Sequence, residues 1–305
     1  MSEYKTISVV IPSYKDKIGL KQTLESIKNQ DYPTKYYEIV TIIDVSPVGK
    51  ARNEGVKRAS NEIIAFIDSD MIAPKNWLSE INEIFKNPKI DLVGFDINMF
   101  GGNSFLEVHD KLVGLPVSGI LARQGYLITA GLVVSRKKLL EIGAFREDIP
   151  VGEDTELGFR AKKMGLKPIM AKKIFLKHPA KKSFRKIIKR EYLRGEAYAK
   201  LGLNWVLDNF SNKRFFEKIC YYFPKTYFGY AKMYSNNKVW NEQSKFRKIG
   251  LYIFYLILWV IKMISFTIFP NKSLCSLIAS VQLSGTTPFN PSICQTFHEI
   301  ILAMC

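Results

Sequence analysis

Asp68 and Asp70 stand two residues apart, directly after the apolar run Glu62–Ile67 (EIIAFI). If the chain is still extended there, both side chains point to one side. Two close carboxylates repel unless a cation lies between them. Carboxylates together with diphosphate oxygens are a common setting for Mg2+ or Mn2+. Asp-x-Asp alone is in most proteins a solvated turn; its place at the end of a buried run makes Asp68-Ser69-Asp70 a candidate site. Gly49-Lys50-Ala51-Arg52-Asn53-Glu54-Gly55 opens a helix soon after Asp44. A helix N-terminus flanked by Lys and Arg suits a diphosphate, although an ordinary surface helix can begin the same way. Gly152-Glu153-Asp154-Thr155-Glu156 opens another helix, Leu157–Met164, where acidic residues also serve as caps and dipole partners. His178 precedes Pro179 where the more acidic part of the chain meets its basic part. His109 and His298 read as structural.

The elements that must position these residues alternate in type. Ile7–Ile11 (ISVVI) is a continuous apolar run ending at Pro12, as in a parallel strand buried on both faces. Gly19–Asn29 has helical periodicity through Leu20, Leu24 and Ile27. Glu38–Ile43 is a second strand, Gly49–Ala59 a helix, Glu62–Ile67 a third strand and Asn76–Phe85 a further helix. Leu92–Asp96 and Tyr126–Ser135 predict more strands. This order argues for an open, mostly parallel α/β sheet. Three strands then end at Pro12-Ser13-Tyr14, at Asp44 and at Asp68-Ser69-Asp70. Ligands of such sheets bind beyond the carboxyl ends of the strands, so these residues should converge on one crevice.

The chain has 305 residues and is 47% hydrophobic, enough for one large domain with a sizeable core and an appendage. Residues 181–248 hold 17 Lys+Arg against 5 Asp+Glu, and so most of the formal net charge of +17. A block this basic calls for an anionic partner, nucleic acid or an anionic membrane surface. Ile249–Phe269 then runs for 21 residues with one charge, Lys262. As a helix it would span roughly 30 Å, about a bilayer core. Lys245, Arg247 and Lys248 precede it and should stay on the cytoplasmic side. A core helix or a helix lying in the membrane plane fits the same run. Lys181–Lys200 reads as a basic amphipathic helix of the kind that lies on anionic membranes, or as a solvated helix packed on the core. No nucleic-acid recognition motif is evident, so no nucleic-acid partner is expected. The polar start Met1–Lys5 does not read as a signal peptide, and the four cysteines form no metal or disulfide framework. The body is therefore expected at the cytoplasmic face of the cell membrane.

Taken in order, ISVVIPSY, IID, ARNEG, EIIAFIDSD, TAGLVVSRKKLLEIGAF, GEDTELGFRAKKMG and KHP…KREYLRG resemble the family 2 glycosyltransferases of the GT-A fold. The resemblance covers about residues 5–200. It implies a Rossmann-like, mostly parallel sheet flanked by helices, to which a C-terminal helical membrane-associating region is added. Residues 1–180 would be the catalytic domain, 181–248 a basic, aromatic-rich helical extension and 249–270 the hydrophobic helix. Residues 271–305 would be a tail of unknown role. By the same resemblance, Asp44 with Pro12 and Tyr14 would line the base pocket of a nucleotide sugar. Arg52, Asp68 and Ser69 would lie near the nucleotide. Asp70 and His178 would hold Mg2+ or Mn2+ on its diphosphate. Gly131 and Glu153 would belong to the region where donor sugar and acceptor meet, and Asp154 would be the catalytic base. A hydroxyl of a glycan or lipid-linked molecule, or a lipid phosphate, would be the acceptor, and the reaction would invert the anomeric carbon.

The sequence departs from the family in two places. Only four residues separate Asp44 from Gly49, where the family carries a helix and a further strand. The Gln-x-x-Arg-Trp motif of processive synthases is absent; Lys189-Arg190-Glu191-Tyr192 stands in that region, so one sugar per encounter is expected. A nucleotidyltransferase would need a Gly-rich basic loop after the first strand, and Pro12-Ser13-Tyr14-Lys15-Asp16 is not one. A binding module with a decayed site is the non-enzymatic alternative.

Overall fold

The computed structural model describes residues 3–201 and 224–268. The expectations for the tail 271–305, for His298, for the four cysteines (Cys220, Cys275, Cys294 and Cys305) and for residues 202–223 of the basic, aromatic-rich extension 181–248 lie outside the described residues. The chain divides into two compact units: residues up to Gly101 with Val113–Ala180, and Gly102–Leu112 with the chain from Lys181 on.

The first unit is built on β1 (Ile7–Ser13), β2 (Tyr37–Ile43), β3 (Ile63–Phe66), β4 (Leu92–Phe100), β5 (Leu132–Ser135) and β6 (Ile169–Pro179). They form one sheet in the order β2-β1-β3-β5-β4-β6. β1 runs parallel to β2 and β3, and β6 parallel to β4; β5 is antiparallel to both β3 and β4. Helices α1 (Lys17–Lys28), α2 (Val48–Arg58), α3 (Trp77–Phe85), α5 (Val117–Gln124), α6 (Arg136–Ile142) and α7 (Glu153–Lys163) complete this unit. Between them in sequence, α4 (Phe105–Val113) lies almost wholly in the second unit.

The apolar runs of the sequence become two-faced strands. Val9, Ile11, Ala65 and Ile67 enter the core on one side of the sheet, with Trp77 and Phe95. Val10, Ile64 and Phe66 enter the other core, with Val56 and Leu157. Period-two alternation with both faces buried is why these segments read as unbroken apolar stretches. This is the α/β architecture of GT-A type that the motifs imply. The short link after Asp44 passes straight into α2, and β2 is the edge of the sheet among the described residues.

Two expectations need correction. The strand predicted over Tyr126–Ser135 is only the four-residue β5, because Gly125 and Gly131 take positive φ and hold the preceding stretch out of the sheet. Strand β6 was not predicted at all, although Ile174, Leu176 and His178 alternate inward with exposed neighbours.

In the second unit, α8 (Phe184–Leu201), α9 (Tyr227–Met233), α10 (Lys238–Asn241) and α11 (Lys245–Ile268) join α4. Ile187 and Ile188 of α8 pack on Phe254 and Leu258 of α11, with Phe105 and Leu106 beside them. His109 is buried with its ring edge-on to Phe254, 4.7 Å between centroids. Its structural reading agrees with that position.

Candidate active site

Strand β1 ends in buried Pro12 and Ser13, followed by exposed Tyr14. With Val45, Ser46, Ala51, Arg52, Asp68 and Ser69 they line a cavity of about 400 Å³, to which Pro150 and Val151 also contribute. Five of the residues expected around a nucleotide, Pro12, Tyr14, Arg52, Asp68 and Ser69, therefore meet in one place. Asp44 does not line this cavity. Its backbone N–H donates to the Ser13 carbonyl at 2.8 Å, and its carboxylate accepts from the Lys15 N–H at 2.9 Å. A larger cavity, about 1030 Å³, sits at the opposite strand ends near Thr6, Glu62 and Asp91, away from the acidic cluster.

Arg52 is 4% exposed and projects from the first turns of α2. Its Nη2 donates to Asp68 Oδ1 at 3.0 Å, its Nη1 to Glu153 Oε1, and its guanidinium lies 5.7 Å from the Phe145 ring centroid. Burial alone would favour the neutral form, but Glu153, Asp68 and Asp154 outweigh it and hold the guanidinium charged. The next residue, Asn53, clasps the backbone of Phe145 with two hydrogen bonds of 2.9 Å. A Cβ on Gly49 would lie 2.3 Å from the Arg146 carbonyl oxygen. The glycine, arginine and asparagine of this motif thus hold α2 tightly against the segment that leads into α7.

Helix α7 begins after Gly152, whose φ of 84° turns the chain into the helix. Burial pushes the Glu153 carboxyl up, to about 7, with Arg52 pulling the other way and Asp154 adding to the rise. Asp154 Oδ1 accepts from the Thr155 N–H at 2.6 Å. Its Oδ2 faces the N–H and hydroxyl of Thr129, both at 3.4 Å. Thr129 and Phe145 were not predicted as site residues. Thr129 stands just before Gly131 in the TAGLVV motif, but nothing in sequence ties it to a carboxylate 25 positions away.

The two carboxylates of Asp68-Ser69-Asp70 part company. The chain turns at Ser69 and Asp70, and the Met71 N–H donates back to the Asp68 carbonyl at 3.1 Å. The same-side rule for an extended strand therefore does not hold here. Asp68 goes to Arg52, and Asp70 Oδ1 lies 3.3 Å from His178 Nε2. Ile72 and Lys177 form a two-bond bridge, 2.9 Å each way, that pins this turn to β6 and brings His178 to Asp70. Gly131, φ 77°, is packed against Leu176 and the Phe95 carbonyl beneath that strand.

His178 supplies a test of the expected cation. Its Nδ1 lies 2.8 Å from the Pro179 carbonyl, which can only accept, so Nδ1 carries the hydrogen. In the neutral ring Nε2 then presents a lone pair toward the Asp70 carboxylate. Two acceptors facing each other need a proton or a cation between them. One imidazole nitrogen with one carboxylate suits Mn2+ better than Mg2+. Among the described residues no group of three His, Cys, Asp or Glu side chains forms a protein-only metal cage. The residues therefore fit a cation that completes its coordination with water and diphosphate oxygens.

The carboxyl ends of β1 and β3 thus border a crevice lined by a buried arginine and Asp68, with an acid–histidine pair at the turn that follows β3. The family model for "Glycosyltransferase like family 2" matches residues 36–194, just over half of the sequence, and the chain belongs to that family. It is a glycosyltransferase. Among characterised relatives it is similar to glycosyltransferase AglE of Haloferax volcanii, 23% identical over 239 residues, covering 69% of this chain and 77% of that protein. It is also similar to the dolichyl N-acetyl-alpha-D-glucosaminyl phosphate 3-beta-D-2,3-diacetamido-2,3-dideoxy-beta-D-glucuronosyltransferase of Methanococcus voltae, 24% identical over 63% of this chain and 72% of that one. Among solved structures, S. aureus TarS residues 1–349 superimposes with a TM-score of 0.49 at 14% identity, covering 93% of this chain and 94% of that one.

Proposed function

We propose that this glycosyltransferase moves one sugar at a time from a UDP- or GDP-sugar to a hydroxyl of a glycan or lipid-linked acceptor, or to a lipid phosphate. The reaction inverts the anomeric carbon, needs a divalent cation and takes place at the cytoplasmic face of a membrane. The observation that carries this reading is the pairing of Arg52 with Asp68 and Glu153 at the crevice, with Asp70 meeting His178 two residues beyond Asp68. The name of the Methanococcus relative, which acts on a dolichyl phosphate-linked sugar, favours a lipid-linked acceptor.

The nucleotide enters between Tyr14 and the start of α2. A divalent cation held by Asp70 and His178 would neutralise the charge that grows on the leaving diphosphate. Asp154 accepts the proton of the acceptor hydroxyl as that oxygen attacks the anomeric carbon from the face opposite the diphosphate. Thr129 and Thr155 fix the orientation of the Asp154 carboxylate.

Thermal-shift titration with UDP- and GDP-sugars, with and without Mn2+, tests the donor and the metal together, because a ligand that binds only the folded state raises its stability. Stabilisation by one nucleotide class that requires metal is expected, and it should disappear in Asp70→Ala. Asp154→Asn should keep donor binding while transfer falls about a thousandfold, the scale of a lost general base. Full transfer activity in both variants would overturn the site.

A further inference from the structure

Helix α11 presents two apolar stripes. Leu251, Phe254, Leu258 and Phe266 are buried, and Phe254 and Leu258 meet α8. Phe246, Ile249, Ile253, Ile257 and Val260 are exposed and recur every three or four residues, so they share one face. The segment Lys245–Phe266, with mean hydropathy 2.1, is long and apolar enough to cross a bilayer. Its neighbour argues against crossing.

Helix α8 runs along α11. Ile187 and Ile188 pack at Phe254 and Leu258, and two turns further on Gly195 lies against the Lys262 carbonyl, where a Cβ would be 2.2 Å away. Eight of the 18 residues of α8 are charged. A membrane-crossing α11 would draw those charges into hydrocarbon, where each is costly. Lys262, the charge inside the apolar run, faces α8: it sits 5.8 Å from the Tyr198 ring centroid and acts on the Glu191 carboxylate. The exposed stripe is left without a charge, and the same unit exposes cations: Lys245 on α11, Lys182 just before α8, and Arg185, Lys186 and Lys189 in the first turns of α8.

We propose that α11 lies in the plane of an anionic lipid bilayer, with the Phe246–Val260 stripe in the acyl boundary and the cations of α8 and α11 among the headgroups. It does not span the membrane. The stripe supplies apolar burial and the cations supply charge complementarity, the two attractions that hold in-plane helices. This inference rests on the membrane association proposed above, not on the transfer chemistry.

Two measurements on the full chain test it. In the first, sealed membrane vesicles carry versions that keep only Cys220 or only Cys275, the other cysteines being serine. In sequence, Cys220 precedes α11 and Cys275 follows it. An impermeant maleimide should label both from the same face; labelling from opposite faces would overturn the in-plane placement. In the second, purified protein is mixed with phosphatidylcholine vesicles with or without phosphatidylglycerol. Binding should require the anionic lipid. The double variant Ile253→Glu/Ile257→Glu should bind about tenfold more weakly or worse, for the loss of two apolar side chains from the lipid contact. An unchanged helical circular dichroism signal would show that the variant is folded. Equal binding by the variant, or equal binding to neutral vesicles, would overturn the surface. Because neither readout uses sugar transfer, a failed transferase assay leaves this test intact.

Discussion

Removing the guanidinium of Arg52 leaves Glu153, 3% exposed, without its counter-charge. Breaking a buried pair in this way costs about 3 kcal/mol above about pH 7, where Glu153 is ionised, and less below it, where the carboxyl takes up a proton; the Asp68 arm adds little because Asp68 is partly solvated. Arg52→Ala should lower the free energy of unfolding in urea by that amount. It should also lower kcat more than it raises KM for the donor, because Asp154 follows Glu153 at the start of α7. Arg52→Lys should recover part of the stability and less of kcat, since an ammonium carries the charge but cannot fork between two carboxylates. Equal effects on kcat and KM would point to a nucleotide contact instead.

At the scale of elements, Gly131 is the hinge between the stretch that holds Thr129 and strand β5. Its φ of 77° strains any side chain, and a Cβ would meet Leu176 at 2.8 Å and the Phe95 carbonyl at 3.1 Å. Gly131→Ala should cost about 1–3 kcal/mol in thermal unfolding, as strained backbone sites do. It should also reduce turnover by shifting Thr129 away from Asp154, with donor affinity retained. The sequence made strands β1 to β3 legible because continuous apolar runs and strand-end polar residues are local signals. It did not announce β6, whose lysines interrupt the apolar run, nor the antiparallel course of β5, which depends on which neighbours it pairs with. The candidate site was legible as a set of residues. Its pairings were not: Arg52 with Glu153, and Asp70 with His178, join residues about a hundred positions apart. The even spacing of Asp68 and Asp70 suggested a shared side until the turn at Ser69 separated them.

At the scale of the whole molecule, stability should depend on pH through His109 in the second unit. Burial lowers its pKa from 6.5 to about 4, and the nearby Arg190 cation adds to the fall while Glu191 and Asp110 oppose it. The folded state thus refuses a proton that the unfolded chain accepts. Stability is undiminished above about pH 6.5 and declines as pH falls toward 4, where the loss amounts to about 3 kcal/mol. Thermal unfolding followed across this window should show the decline, and His109→Leu should flatten it.

The path of the chain between its two units has a practical consequence. Helix α4 is encoded in the middle of the catalytic sequence but is completed by residues that come after position 180. Asp110, fully buried, takes its hydrogen bonds from the Lys181 N–H and from Arg190, and Phe105 and His109 rest on Phe254. A protein ended at residue 180 would keep every candidate catalytic side chain. It would also expose a greasy helix and a carboxylate stripped of its cation, a mixture that favours clumping over solubility. Dissecting the enzyme for separate study therefore calls for an internal excision or a redesigned α4, since a simple cut leaves this orphan behind.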